Sequence, residues 1–171
     1  MGGVDKGLAL LRGKPMVAWV LERLAPQVGE ILINANQNLD IYAGFGHRVV
    51  PDNVGGFAGP LAGLHAGLAA AAHPLVVTVP CDSPFLPPDL VARLRGAMGA
   101  NDLAVARTGE QPHPVFSLVR RAVHEHLAKY LAGGGRKIDA WYATLKVVEV
   151  PFDDEADAFR NINTPEELKD A

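Results

Sequence analysis

The chain has 171 residues, 49% of them hydrophobic and 20% charged, enough apolar content for one folded domain with a full core and too much for a disordered chain. Lys and Arg total 16 against 19 for Asp and Glu, a net charge of −3, so no basic excess points to nucleic acid or to an anionic membrane surface. The single cysteine, Cys81, excludes an internal disulfide framework and a cysteine-rich metal site, and no apolar run approaches the roughly 18–20 residues of a membrane-spanning helix.

In chain order, the first residues (Met1-Gly2-Gly3-Val4-Asp5-Lys6-Gly7) form a polar, glycine-rich loop with no apolar core of a leader peptide. A helix is predicted over Pro15–Leu24, with proline suited to the first turn. Val28–Asn34 reads as a buried strand and Arg48–Pro51 as a second, short one. An Ala-rich helix over Leu61–Ala72 is apolar on most faces and should be buried. Leu75–Pro80 is the clearest strand, β-branched and apolar on both faces. Pro87-Pro88 introduces an amphipathic helix, Asp89–Met98. Strands Leu103–Arg107 and Val115–Val119 flank a loop, Thr108–Pro114, and form either an antiparallel extension or a small lobe. A helix over Arg120–Leu131 stops at Gly133-Gly134-Gly135; a short helix over Ile138–Leu145 and a strand over Lys146–Val150 follow. Thr164-Pro165-Glu166-Glu167 is a capping box that starts a last helix. Helices alternating with near-continuous apolar strands predict an α/β three-layer fold with a mostly parallel sheet.

Ligands of such sheets bind beyond the carboxyl ends of the strands, so the polar residues there carry the argument. Asp82 stands just past the best strand, where a carboxylate is either a turn former or a magnesium ligand; Mg²⁺ is held by one or two carboxylates with phosphate oxygens and water. Lys6, next to Gly7, is either a solvated charge or a phosphate contact. The loop from Asp52 through Gly55, Gly56 and Gly59 opens a helix near Pro60, a shape suited to an anionic ligand or to a flexible connection, and it matches neither a Walker A loop nor a dinucleotide fingerprint. Asn34, after the first strand, either reads a nucleoside or makes a turn. Asn161 and Asn163 are left unexplained by the capping box and could reach a metal or phosphate, and His113 lies in a loop open to substrate. The six histidines form no ligand set, and Cys81, beside an apolar strand, reads as a buried small residue rather than a nucleophile.

Taken together and in order, several segments resemble the molybdenum cofactor guanylyltransferase family over essentially the whole chain. They are residues 2–8 from Gly2 to Leu8, Gly13-Lys14-Pro15, Asn34-Ala35-Asn36, Asp52, Gly59-Pro60-Leu61-Ala62-Gly63, the stretch from Cys81 to Leu90, His113-Pro114, and the stretch from Asn161 to Leu168. The resemblance implies a single Rossmann-like nucleotidyltransferase domain over residues 1–171. It also implies transfer of GMP from GTP to the terminal phosphate of molybdopterin, with Mg²⁺, in the cytoplasm. Lys6 would hold GTP phosphates, Asn34 and Asp52 the nucleoside, and Asp82 the Mg²⁺ near the α-phosphate; Lys6 and Asp82 are the expected catalytic pair. Gly59, Pro60 and Leu61 would shape the guanine pocket, and His113, Asn161 and Asn163 would lie near the pterin or the metal, with Arg136 and Lys137 as further pterin candidates. Molybdoenzyme apo-proteins and other proteins of cofactor synthesis are the implied partners. Family members carry a strand and a Leu-Ala-Gly-Gly loop with a downstream arginine ahead of the segment that opens this chain, so the expectation is either a natural product that starts upstream of Met1 or a flexible loop left out of this sequence. Rival readings are a related enzyme that uses CTP or makes a nucleotide sugar, and a non-catalytic nucleotide or cofactor carrier.

Overall fold

The computed structural model describes residues 5–55, 59–163 and 166–167. A four-stranded sheet has the order β5-β7-β6-β8, with β5 at Leu75–Thr78, β6 at Leu103–Thr108, β7 at Gln111–Arg120 and β8 at Val147–Pro151. β7 runs antiparallel to both β5 and β6, and β8 runs parallel to β6, so β5, β6 and β8 share one direction. A second sheet pairs β3 (Leu32–Asn34) with β4 (Arg48–Val50) in parallel, and β1 (Leu10–Leu11) and β2 (Lys14–Pro15) form a small hairpin. The expected mostly parallel α/β sheet is present. Its antiparallel strand is not an extension, however: it sits inside the sheet, between β5 and β6.

Period-2 alternation distributes the core to two faces. Leu103 and Val105 of β6 point to one side, with Leu61, Leu64 and Leu68 of α3 (Pro60–Ala70), Leu127 and Leu131 of α5 (His124–Ala132) and Trp141 of α6 (Ile138–Tyr142). Ala104 and Ala106 point to the other, with Val20 of α1 (Met16–Leu24), Leu90 and Leu94 of α4 (Leu90–Met98), and Phe116, Phe152 and Phe159. Leu90 and Leu94 are four apart and fully buried, the spacing at which one helix face meets a sheet. Helices on both faces give the three layers.

Several boundaries differ from the sequence expectations for identifiable reasons. The strand expected from Val28 begins at Leu32, because only Leu32–Asn34 finds partners, in Arg48–Val50. The expected loop Thr108–Pro114 is a tight turn, and β7 already starts at Gln111. Pro112 and Pro114 disguise that strand, since proline lacks a ladder donor. The ladder accommodates the segment by a register shift between Val105 and Ala106. β5 is half-buried along its length rather than fully buried, because it lies at the edge of its sheet. Unanticipated elements include the β1–β2 hairpin, the 3₁₀ turns Lys6–Leu8 and Ala25–Gln27, the five-residue α2 (Leu39–Ala43) and the 3₁₀ segment Asp153–Phe159. Of the last helix expected from Thr164, only Glu166 and Glu167 fall within the described residues, and Glu167 Oε2 accepts from the Asn163 N–H at 2.7 Å.

Candidate functional site

Two polar groups stand at the carboxyl ends of the strands. The first is built on the turn after β5. The Asp82 side chain is only 13% exposed, and its Oδ2 lies 3.7 Å from Lys6 Nζ. The same Nζ donates to Asn163 Oδ1 at 2.8 Å. The segment carrying Asn163 is laced to the Asp82 turn twice: the Ile162 N–H donates to the Asp82 carbonyl at 3.1 Å, and the fully buried Ser83 hydroxyl donates to Asn161 Oδ1 at 2.5 Å. Residues 5–8, 81–83 and 161–163 therefore converge from three distant parts of the chain. Lys6, Asp82 and Asn163, flagged by the sequence, are brought together. Asn161 is adjacent, but its carbonyl oxygen is occupied by Ser83, which ties the two loops.

The second group lies at the ends of β3 and β4. Asn34 Nδ2 donates to Asp52 Oδ1 at 2.8 Å and to the Val50 carbonyl at 3.0 Å. Asn36 Nδ2 donates to Asp52 Oδ2 at 3.0 Å, and Asn36 Oδ1 accepts from the Asp52 N–H at 2.8 Å. Both carboxylate oxygens are thus held by amides. Gly63 of α3 is required here, because a Cβ at that position would collide with Asn34 Oδ1. Gly59 caps α3 at φ 58°, ψ −146°, a conformation that L side chains rarely adopt, and Pro60 takes the first helical position. Leu61 corrects an expectation. The whole residue is buried in the core with Leu64 and Leu68, and the exposed residues at this helix start are Gly59 and Pro60.

His113 stands apart from both groups. On β7 its ring stacks on Phe159 at 4.9 Å, and its Nε2 lies 2.7 Å from Thr108 Oγ1; burial lowers its pKa. Arg136 donates to the carbonyls of Leu131 and Gly135, so it closes the end of α5. Cys81 was expected to be buried and is exposed as a residue, yet its thiol packs against Gly7; desolvation, followed by the Asp82 and Asp5 charges, pushes it up to about 11. A thiol so protonated at neutral pH is a poor nucleophile.

The sequence reading quoted Asn36 beside Asn34 without giving it a role, and gave none to Ser83, which the fold alone joins to Asn161. A cavity of about 590 Å³ is lined by Phe85, by Asp153, Asp154, Glu155 and Asp157, and by Arg23 and Arg160. Four carboxylates against two guanidinium groups leave it net acidic and poorly suited to a polyanion, so the candidate site is taken at the strand ends.

As chemistry, a lysine ammonium beside a carboxylate and amide oxygens suits a nucleoside triphosphate with a hard cation. Asp82 with the Asn163 carbonyl oxygen is an all-oxygen donor set of the sparse kind Mg²⁺ uses with phosphate oxygens and water. Among the described residues no group of three or more His, Cys, Asp or Glu gathers to hold a metal alone.

The chain is similar to known proteins in both sequence and fold. The family profile described as the MobA-like NTP transferase domain matches residues 1–147. A protein of Cupriavidus necator named molybdenum cofactor guanylyltransferase is 53% identical, over 99% of this chain and 88% of its own length. A protein of the same name from Shewanella amazonensis is 48% identical over 99% and 87%. The crystal structure of molybdopterin-guanine dinucleotide biosynthesis protein A from Archaeoglobus fulgidus superposes with a TM-score of 0.80 at 27% identity, covering 98% of this chain and 89% of that one. The 2-C-methyl-D-erythritol 4-phosphate cytidylyltransferase of Thermus thermophilus, at 22% identity and a TM-score of 0.74 over 97% and 91%, shares the fold.

Proposed function

Because the chain belongs to the molybdenum cofactor guanylyltransferase family, we propose that its two strand-end groups divide the work of guanylyl transfer between them. The protein is a nucleotidyltransferase that moves GMP from GTP onto the terminal phosphate of molybdopterin. An oxygen of the acceptor phosphate attacks the α-phosphorus, the bond to the β-phosphate bridging oxygen breaks, and pyrophosphate leaves with that electron pair. Such a reaction needs alignment and charge neutralisation and no covalent enzyme intermediate.

In our reading Lys6 meets the triphosphate and offsets the charge that accumulates on departing pyrophosphate. Asp82 with Asn163 holds Mg²⁺, which when bound neutralises phosphate oxygens and orients them. Asn34 and Asp52, fixed by Asn36, receive the nucleoside, and the backbone at Gly59 and Pro60 presents the α3 N-terminus to it. The observation that carries the assignment is the approach of Lys6 Nζ to Asp82 and Asn163 from across the fold. We place the reaction in the cytoplasm, where GTP is supplied, and take molybdoenzyme apo-proteins as recipients of the product; among the described residues no helix is long and apolar enough to cross a membrane.

The test is pyrophosphate release from Mg²⁺-GTP and molybdopterin. Asp82→Asn and Lys6→Ala should each lower kcat/KM by about 10²–10³-fold, the usual loss for one transition-state contact, with the thermal midpoint nearly unchanged. Activity within about threefold of the natural chain in either variant would reject that residue's role.

A further inference from the structure

Lys6 is on a long, flexible side chain that is 41% exposed, so its placement depends on the backbone beneath it. That backbone is a single 3₁₀ turn, Lys6–Leu8, too short to hold itself. One side chain ties it down. Asp5 precedes the turn, and its Oδ1 accepts from the Gly7 N–H at 3.2 Å and from the Tyr42 hydroxyl at 2.5 Å. Its Oδ2 accepts from Asn38 Nδ2 at 3.0 Å. Tyr42 belongs to α2 and is 4% exposed, packed with Val17 and Ile33. Asn38 precedes α2 in a left-handed conformation, φ 53°, that turns its amide toward Asp5. Gly7 lets the clasp close, since a Cβ there would stand 2.6 Å from the Tyr42 hydroxyl. Burial, followed by the bond to Asp5, raises the Tyr42 pKa and keeps the phenol a donor.

We propose that Asp5, gripped by Tyr42 and Asn38 of the α2 segment, is a positioning residue that aims Lys6 at the triphosphate. The proposal rests on the reading that Lys6 contacts GTP phosphates. A carboxylate met by three donors from two elements is strongly oriented, because hydrogen bonds to an ionised group are about twice as strong as neutral ones. This gives the short α2 segment a role. It carries no residue of either strand-end group, yet it supplies both side-chain donors of the clasp.

The test is a cycle of Mg²⁺-GTP affinities measured by calorimetry on the full chain. Tyr42→Phe keeps the buried ring and removes only the hydroxyl; Asn38→Gly tolerates the left-handed backbone and removes only the amide. Each should weaken GTP binding by about three- to tenfold, as expected when one bond to a charged group is lost and part of it reaches the ligand. Lys6→Ala alone should weaken it by about tenfold or more. In the Lys6→Ala background, Tyr42→Phe and Asn38→Gly should weaken it no further, because there is no ammonium left to aim. Equal losses with and without Lys6 would mark Tyr42 and Asn38 as merely structural and overturn the clasp while leaving the Lys6 reading intact. If Lys6→Ala itself leaves GTP affinity unchanged, the phosphate-contact reading fails, and the clasp with it.

Discussion

Asn34 and Gly63 show how a side-chain contact is set by the absence of an atom. The Asn34 amide reaches Asp52 only because α3 presents no Cβ at position 63. Gly63→Ala should therefore separate stability from function. Alanine favours a helix interior over glycine by about 1 kcal/mol, which offsets part of the local crowding. Displacing Asn34 breaks its bond to Asp52, and a misplacement on the order of 1 Å can cost about 10²-fold. The expected result is a KM for GTP raised at least about tenfold with little change in thermal midpoint; an unchanged KM would remove Asn34 from the nucleoside site. At this scale the sequence was informative where chemistry sits beside a strand end. Lys6, Asp82, Asn34 and Asp52 were singled out by residue type at loops and strand ends and by the family resemblance, and the fold brings Lys6 to Asp82 and Asn34 to Asp52. Asp5 and Tyr42 were not, because 37 residues separate them and no local pattern anticipates their bond. Leu61 misled for the opposite reason: it lies within a motif, but its side chain serves the core.

Among elements, the long apolar ones were readable and the short ones were not. Leu75–Thr78 and Leu90–Met98 announce themselves by β-branching or by the i, i+4 spacing of leucines. α2 has five residues, fewer than a stable isolated helix needs, and exists through Tyr42 in the core. The two prolines hid the start of β7, since its pairing depends on a ladder irregularity in β6.

One contact between elements has a pH dependence. His65 of α3 stacks on His124 of α5 with ring centroids 4.5 Å apart, and its Nδ1 lies 2.9 Å from Asn53 Oδ1. Burial, then the neighbouring imidazole, lowers the pKa of His65 below 6.5. The folded state therefore prefers neutral His65, and protonation favours unfolding. Stability from this group is complete above about pH 6.5 and is lost as pH falls from there through the lowered folded value. The thermal midpoint should drop between pH 7.5 and 5.5, and drop less in His65→Gln. Equal drops in both proteins would show that the α3–α5 contact does not carry this dependence.

At the scale of the molecule, the fold places its chemistry where two sheets end. Lys6, Asp82 and Asn163 cap the four-stranded sheet; Asn34, Asn36 and Asp52 cap the parallel pair, and α3 packs against both β3–β4 and β5. Both groups stand at strand ends, the placement expected for the ligand site of an open α/β sheet. The fold class and the approximate element order were visible in the sequence because alternating apolar periods set them. The convergence of residues 5–8, 81–83 and 161–163 was not, since it depends on how connections return across the sheet. Guanylyl transfer at this site is put to the test by mixing the chain, Mg²⁺ and molybdopterin with GTP or with CTP at equal concentration and measuring pyrophosphate release. Steady release is expected with GTP and at least about tenfold less with CTP, the discrimination a hydrogen-bonding nucleobase site sustains. Release with CTP equal to or above that with GTP would contradict guanylyl transfer.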